Sequence, residues 1–124
     1  KAHLAYATLE AMALQNVEIL LAMQKDSKLK LKSLKVDGGA ASNSLLMQMQ
    51  SNYLGIDVVR PQIFETTAFG AALMAGLGLG FWKNTSELSK VLKKDRSFSP
   101  QLSAKIKKQR FNSWMTSVRL LTQG

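Results

Sequence analysis

The chain has no cysteine and one histidine, His3. A disulfide framework is therefore impossible, and a zinc site built from Cys and His is excluded; the redox compartment stays open, because a chain without thiols suits any. Acidic residues are also scarce, 8 against 17 Lys and Arg, for a formal net charge of +9. Such a balance invites a polyanion-binding reading. Most of the basic residues fall in two places: Lys25, Lys28, Lys30, Lys32 and Lys35, then Lys90, Lys93, Lys94, Arg96, Lys105, Lys107, Lys108 and Arg110. Neither cluster interleaves aromatic rings as a base-stacking platform does. Solvated faces account for them, and a nucleic-acid partner is not expected. Long hydrophobic runs are missing too. The longest uncharged apolar run, residues 69–82, falls short of the roughly 20 residues needed to cross about 30 Å of hydrocarbon, so no membrane partner is expected. Glu10 and Gln15 interrupt the N-terminal apolar residues, which argues against a signal peptide. The first residue is Lys1, and the chain is expected to begin mid-protein or after processing.

What is there suits a soluble globular domain, with 124 residues, 46% of them hydrophobic and 20% charged. Leu4, Ala7, Ala11, Leu14, Val17 and Leu21 recur at three- and four-residue steps, predicting an amphipathic helix over residues 3–25. Its stripe, widened by Leu9, Met12, Ile19, Leu20 and Met23, is broad enough to meet more than one neighbour. Residues 34–36 alternate as a short strand ending in Asp37-Gly38-Gly39. Ser42 or Asn43 then caps a second helix, with Leu45, Leu46, Met49 and Tyr53 on one face and Gly55 at its end. Residues 56–59 form a β-branched strand stopped by Arg60-Pro61. Thr66 or Thr67 caps a third helix rich in Ala and Gly, loosened at its end by Gly76, Gly78 and Gly80. A short helix capped by Ser86 runs through Leu92, Ser99-Pro100 marks a turn, and Phe111, Trp114, Val118 and Leu121 predict a final helix.

This alternation predicts an α/β layer with two parallel strands and flanking helices. Two strands are too few for a parallel sheet, which is normally buried on both faces and built from more. Something is missing from the sheet.

A strand running into Asp37-Gly38-Gly39 and then a helix lets backbone N–H groups and a helix N-terminus approach an anion or nucleotide with no Cβ in the way. The stretch completes neither G-x-x-x-x-G-K-[ST] nor G-x-G-x-x-G. From the residues alone, a plain tight turn is the other reading. Asn43 likewise reads as a helix cap or as a ligand group. Asp37 is expected to fix the glycine turn through local hydrogen bonds, Glu65 to cap the third helix or favour its dipole, and His3 to lie on the surface or pack. Gly70, Ala71, Met74 and Ala75 are expected to let their helix approach the sheet closely.

"VDGGAASNSLLMQMQ", "LGIDVVRP" and "ETTAFGAALMAGLGLGFW", in this order and spacing, resemble the C-terminal half of the glycerol branch of the FGGY carbohydrate kinases. With "HLAYATLEAMALQ" upstream, the resemblance covers residues 3–90 closely and the basic tail loosely. It implies a partial ribonuclease-H-like domain of the actin-like ATPase fold, in which strand order is 3-2-1-4-5 and this chain supplies the last two strands of the second domain. It further implies that residues 1–124 are the adenosine-binding side of that domain, with residues 1–95 as the core match and 96–124 as a basic helical tail.

The family's adenosine motif falls on Gly39, whose backbone lies against the nucleotide, on its neighbour Gly38, and on Asn43 at the adenosine end. ATP or ADP is the implied cofactor, with Mg²⁺ implied by the family but given no ligand here. No catalytic and no metal-binding residue is expected in this chain, because base and glycerol pocket belong to the N-terminal domain. The resemblance implies glycerol kinase activity in the intact form, a cytoplasmic location, homo-oligomers, and glycerol reached only through that other domain. The alternative is a non-catalytic interaction or nucleic-acid-binding fragment using its basic surface.

Overall fold

The structure, a computed structural model, describes residues 1–63, 65–91 and 94–122, with only the backbone of Lys94. Helix α1 (Ala2–Ser27) is terminated by Lys28, whose φ of 58° turns the chain out of the helix. Strand β1 (Ser33–Lys35) leads through Asp37 and Gly38 into a 3₁₀ turn (Gly39–Ser42), then α2 (Ser44–Leu54). Gly55, at φ 76°, closes α2 in the left-handed conformation that glycine adopts without a Cβ penalty, and its N–H donates to Ser51 O at 2.8 Å. Then follow β2 (Asp57–Pro61), α3 (Thr66–Gly78), α4 (Thr85–Val91), β3 (Lys94–Phe98) and α5 (Ala104–Thr122).

The sheet order is β1-β2-β3, with β1 and β2 parallel and β3 antiparallel to β2. The parallel pair and its α2 crossover are as expected from the sequence. The third strand is not: Lys94, Asp95, Arg96 and Ser97 show no apolar alternation, so pairing with β2 rather than local propensity makes them a strand. Val58, Ala13 and Ala41 are closed off entirely or nearly so, and with Leu14, Val17, Leu46, Met47, Met49, Tyr53 and Phe98 they form one core between the sheet and α1 and α2. Helix α5 touches both α1 and α2 without burying any residue fully.

Several boundaries move. The first strand lies one residue earlier than expected, although Val36 N still donates to Val59 O at 3.1 Å. Arg60 and Pro61 do not stop β2 but belong to it, because β3 pairs with them; Pro61 is tolerated as the last residue of its strand. Glu65 stands at the N-cap of α3 without a side-chain cap bond, so neither threonine caps that helix and Gly76 and Gly78 lie inside it. Asn84, not Ser86, caps α4, its Oδ1 accepting from Glu87 N at 3.2 Å; Leu92 lies outside the described residues.

The expected close approach of α3 to the sheet is also absent among the described residues. Ala71, Met74 and Ala75 are exposed and a Cβ on Gly70 would meet nothing; only Leu73 and Gly76 are buried, the latter against the Trp82 ring.

Candidate functional site

Strand β1 delivers the chain to Gly38, whose φ of 80° is a left-handed conformation that side-chain-bearing residues adopt with strain. Its carbonyl accepts from Ala41 N at 3.0 Å, and Ser42 Oγ donates to Gly39 O at 2.7 Å, closing the turn on itself. A Cβ on Gly39 would meet nothing within 4 Å, and no positive φ demands glycine there. Gly39 therefore leaves a bare stretch of backbone facing open space for no reason internal to the chain.

Asn43 follows as the N-cap of α2. Its Oδ1 accepts from Leu45 N at 3.0 Å and Leu46 N at 3.1 Å, satisfying two donors that a helix start otherwise leaves orphaned. The capping reading of Asn43 is thus realised. Only the carbonyl end of the amide is used; Nδ2 makes no hydrogen bond among the described residues and stays available as a donor. Gly38, Gly39 and Asn43 are brought to one turn between β1 and α2, as the sequence predicts.

The residue that sequence reasoning missed is Arg60. It is buried on β2, and its Nη1 donates to Ala41 O, Ser42 O and Ser44 Oγ, each at 3.2 Å. Nε and Nη2 reach Asp95 Oδ2 at 2.9 and 2.6 Å. The guanidinium lies 5.3 Å from the Phe98 ring centroid, within cation–π range. Register explains the reach of Asp95: Arg60 pairs with Arg96 and Pro61 with Lys94, so Asp95 is the extra residue of a β-bulge, the kind of irregularity that re-aims a side chain. A lone Arg before Pro carries no sequence signal for this role.

Asp37 does not act locally. Its Oδ2 accepts from Thr66 Oγ1, tying the start of α3 to the end of β1 across the glycine turn. Glu65 makes no cap bond, and His3 is exposed. Among the described residues no group of three His, Cys, Asp or Glu side chains is placed to hold a metal ion, and no helix is long and apolar enough to cross a membrane.

Beside the turn, a groove of about 310 Å³ runs along the outer side of β1, lined by Met12, Ile19, Leu34, Val36, Leu46 and Gln50 among others, but not by Gly38, Gly39 or Asn43. Asp37, Ala40 and Ala41 also line it, so it adjoins the candidate turn between α1, β1 and α2.

The family model for the FGGY family of carbohydrate kinases, C-terminal domain, matches residues 1–79. The glycerol kinase of Bdellovibrio bacteriovorus is 57% identical over 114 residues, covering 92% of this chain and 23% of its own. That of Deinococcus radiodurans is 48% identical over 118 residues, covering 95% and 24%. Among solved structures, Plasmodium falciparum glycerol kinase with ADP superposes with a TM-score of 0.84 at 28% identity, over 94% of this chain and 24% of the other. The xylulose kinase of Rhodospirillum rubrum shares the fold, with a TM-score of 0.76 at 20% identity over 98% and 25%. The chain spans about a quarter of the length of the relatives it matches, and its architecture is that of part of a ribonuclease-H-like, actin-like ATPase domain.

Proposed function

Because the chain belongs to the FGGY family of carbohydrate kinases through their C-terminal domain, we propose that it is the adenine-nucleotide-binding portion of an ATP-dependent glycerol kinase. In the intact enzyme the γ-phosphoryl group of ATP passes to a glycerol hydroxyl, leaving ADP and glycerol 3-phosphate. The observation that carries the nucleotide reading is the bare Gly39 backbone beside Asn43, whose amide nitrogen is left over after capping α2. Two further facts support it: relatives at 48–57% identity are glycerol kinases, and a superposable neighbour was solved with ADP.

In this reading Gly38 sets the direction of the turn, Gly39 lets the nucleotide lie against the main chain, and Asn43 Nδ2 donates to an acceptor at the adenosine end. The amide cannot turn over without giving up the cap, so the cap itself orients the donor. Phosphoryl transfer depends on holding donor, acceptor and metal in line. The described residues bring no cluster of carboxylates or imidazoles that would suit Mg²⁺, so no step through the metal is assigned to this chain. The acceptor pocket and the base are assigned to the rest of the kinase, as is contact with glycerol. A cytoplasmic homo-oligomer is the proposed form of the intact enzyme.

The test is a titration of ADP against the folded chain, wild type and Asn43→Ser, at several salt concentrations. Serine keeps the cap and removes the amide, so adenine-nucleotide binding should weaken in the variant. Equal affinity in both, or binding that collapses with salt and ignores position 43, would instead favour a purely electrostatic surface.

A further inference from the structure

The geometry points to Arg60 as a positioning residue for the nucleotide, acting through the turn that carries Gly39 and Asn43. The inference rests on the nucleotide reading above and adds to it a part that lies outside the turn. A 3₁₀ turn of four residues has few bonds of its own, and here its last two carbonyls, Ala41 O and Ser42 O, point at a single guanidinium nitrogen together with Ser44 Oγ. Those acceptors bracket Asn43 on both sides. The guanidinium is in turn held by Asp95 Oδ2 through two donors and rests near the Phe98 ring. The turn is therefore referenced to β2 and β3, which pair at four positions against three for β1 and β2, and not only to the three-residue β1 that precedes it.

Arginine suits this task because its rigid planar fork serves acceptors on two sides at once. Lysine in its place keeps a charge for Asp95 but offers one nitrogen, and cannot hold the sheet carboxylate and both turn carbonyls together. Asp95 offsets the cost of burying the cation, and the bulge that aims it gives the otherwise irregular β2–β3 register a reason. Groups that support a binding residue from behind commonly change affinity when lost, although they touch no ligand.

The experiment compares the 124-residue chain with Arg60→Lys, Arg60→Gln and Asp95→Asn, by ADP titration and by amide NMR with hydrogen exchange at Ala41 and Asn43, whose N–H groups are bonded within the turn, and at the strand β2 positions. In Arg60→Gln the ADP dissociation constant should rise about tenfold, with shifted resonances and faster exchange confined to the turn. Arg60→Lys should recover part of this, and Asp95→Asn should fall between wild type and Arg60→Gln. A folded Arg60→Gln with wild-type ADP affinity overturns the inference, as does a loss that tracks global melting, with β2 and turn amides exchanging in parallel. A wild-type chain that takes no ADP overturns the nucleotide reading itself, which separates the two failures.

Discussion

The Tyr53 hydroxyl donates to the Glu10 carboxylate, and the same oxygen accepts from Arg110 Nη1 at 2.6 Å, so one acidic side chain joins α1, α2 and α5. Tyr53 is otherwise buried. Its removal from water, first, and then the bond to Glu10 and the negative charge there hold its pKa well above the usual tyrosine value, while Glu10 also raises that of Arg110.

This predicts alkaline lability. Tyr53 keeps its proton in the folded state beyond the point, near pH 10, where an unfolded tyrosine loses it. Above that pH the unfolded state binds fewer protons than the native one, so stability is full below about pH 10 and falls as pH rises toward the raised native value. Thermal melts of wild type and Tyr53→Phe across pH 8 to 11 should converge at the alkaline end, the variant being flatter. Parallel curves would remove Tyr53 from the account.

The glycine turn separates conformation from ligand access. Gly38→Ala forces a side-chain-bearing residue into positive φ and should cost about 1 kcal/mol of stability. Gly39→Ala meets open space and should melt like wild type, yet weaken ADP binding by filling the surface the nucleotide would use. A Gly39→Ala chain with unchanged affinity places the nucleotide elsewhere.

Asn43 carries two tasks that substitutions can split. Asn43→Ala should lose about 1 kcal/mol of stability with the cap, as well as ADP affinity. Asn43→Ser should lose affinity alone. If both variants bind ADP like wild type while only Asn43→Ala melts earlier, capping is the whole role of Asn43.

Among the described residues, strand β1 has β2 on one side and no strand on the other. Its open N–H and C=O groups are a template for another chain, opposed by little except Lys35 and the lysines before it. Exposed Met12, Ile19 and Met23 extend the apolar surface, and Gln50 Nε2 is buried there without a partner among the described residues. The isolated chain should self-associate or be only marginally stable, and Leu34→Lys should trade association for unfolding. Sedimentation and melting decide this: a monomer at high concentration that melts cooperatively above about 65 °C, beyond the usual mesophilic range, would show that the flank needs no cover.

Turnover is the remaining test. The chain spans about a quarter of its glycerol kinase relatives, and its one acidic group at the turn, Asp37, is engaged with Thr66. Purified chain should form no glycerol 3-phosphate from ATP and glycerol. Activity that persists through purification in proportion to this protein would place acceptor site and base within these 124 residues.

Local sequence by itself determined the parts whose causes are local. The apolar period places α1, although Leu4 and Leu21 at the ends of its stripe stay exposed; Asn43 caps α2, Gly55 ends it through its left-handed φ, and Gly38 turns the chain, the last three because each depends on one residue's sterics or hydrogen bonds acting over a single turn. The order and spacing of the motifs also sufficed for the family. Tertiary structure alone decided the rest. Residues 94–98 become a strand because β2 offers an edge, Arg60 becomes the anchor of the turn because a bulge turns Asp95 toward it, and Asp37 reaches Thr66 rather than its own turn. Small residues on α3 remain uncovered where packing was expected. Each of these joins residues 29 or more positions apart or depends on what covers a surface, and neither propensity nor periodicity carries that information, since both describe how a segment folds and not what it meets.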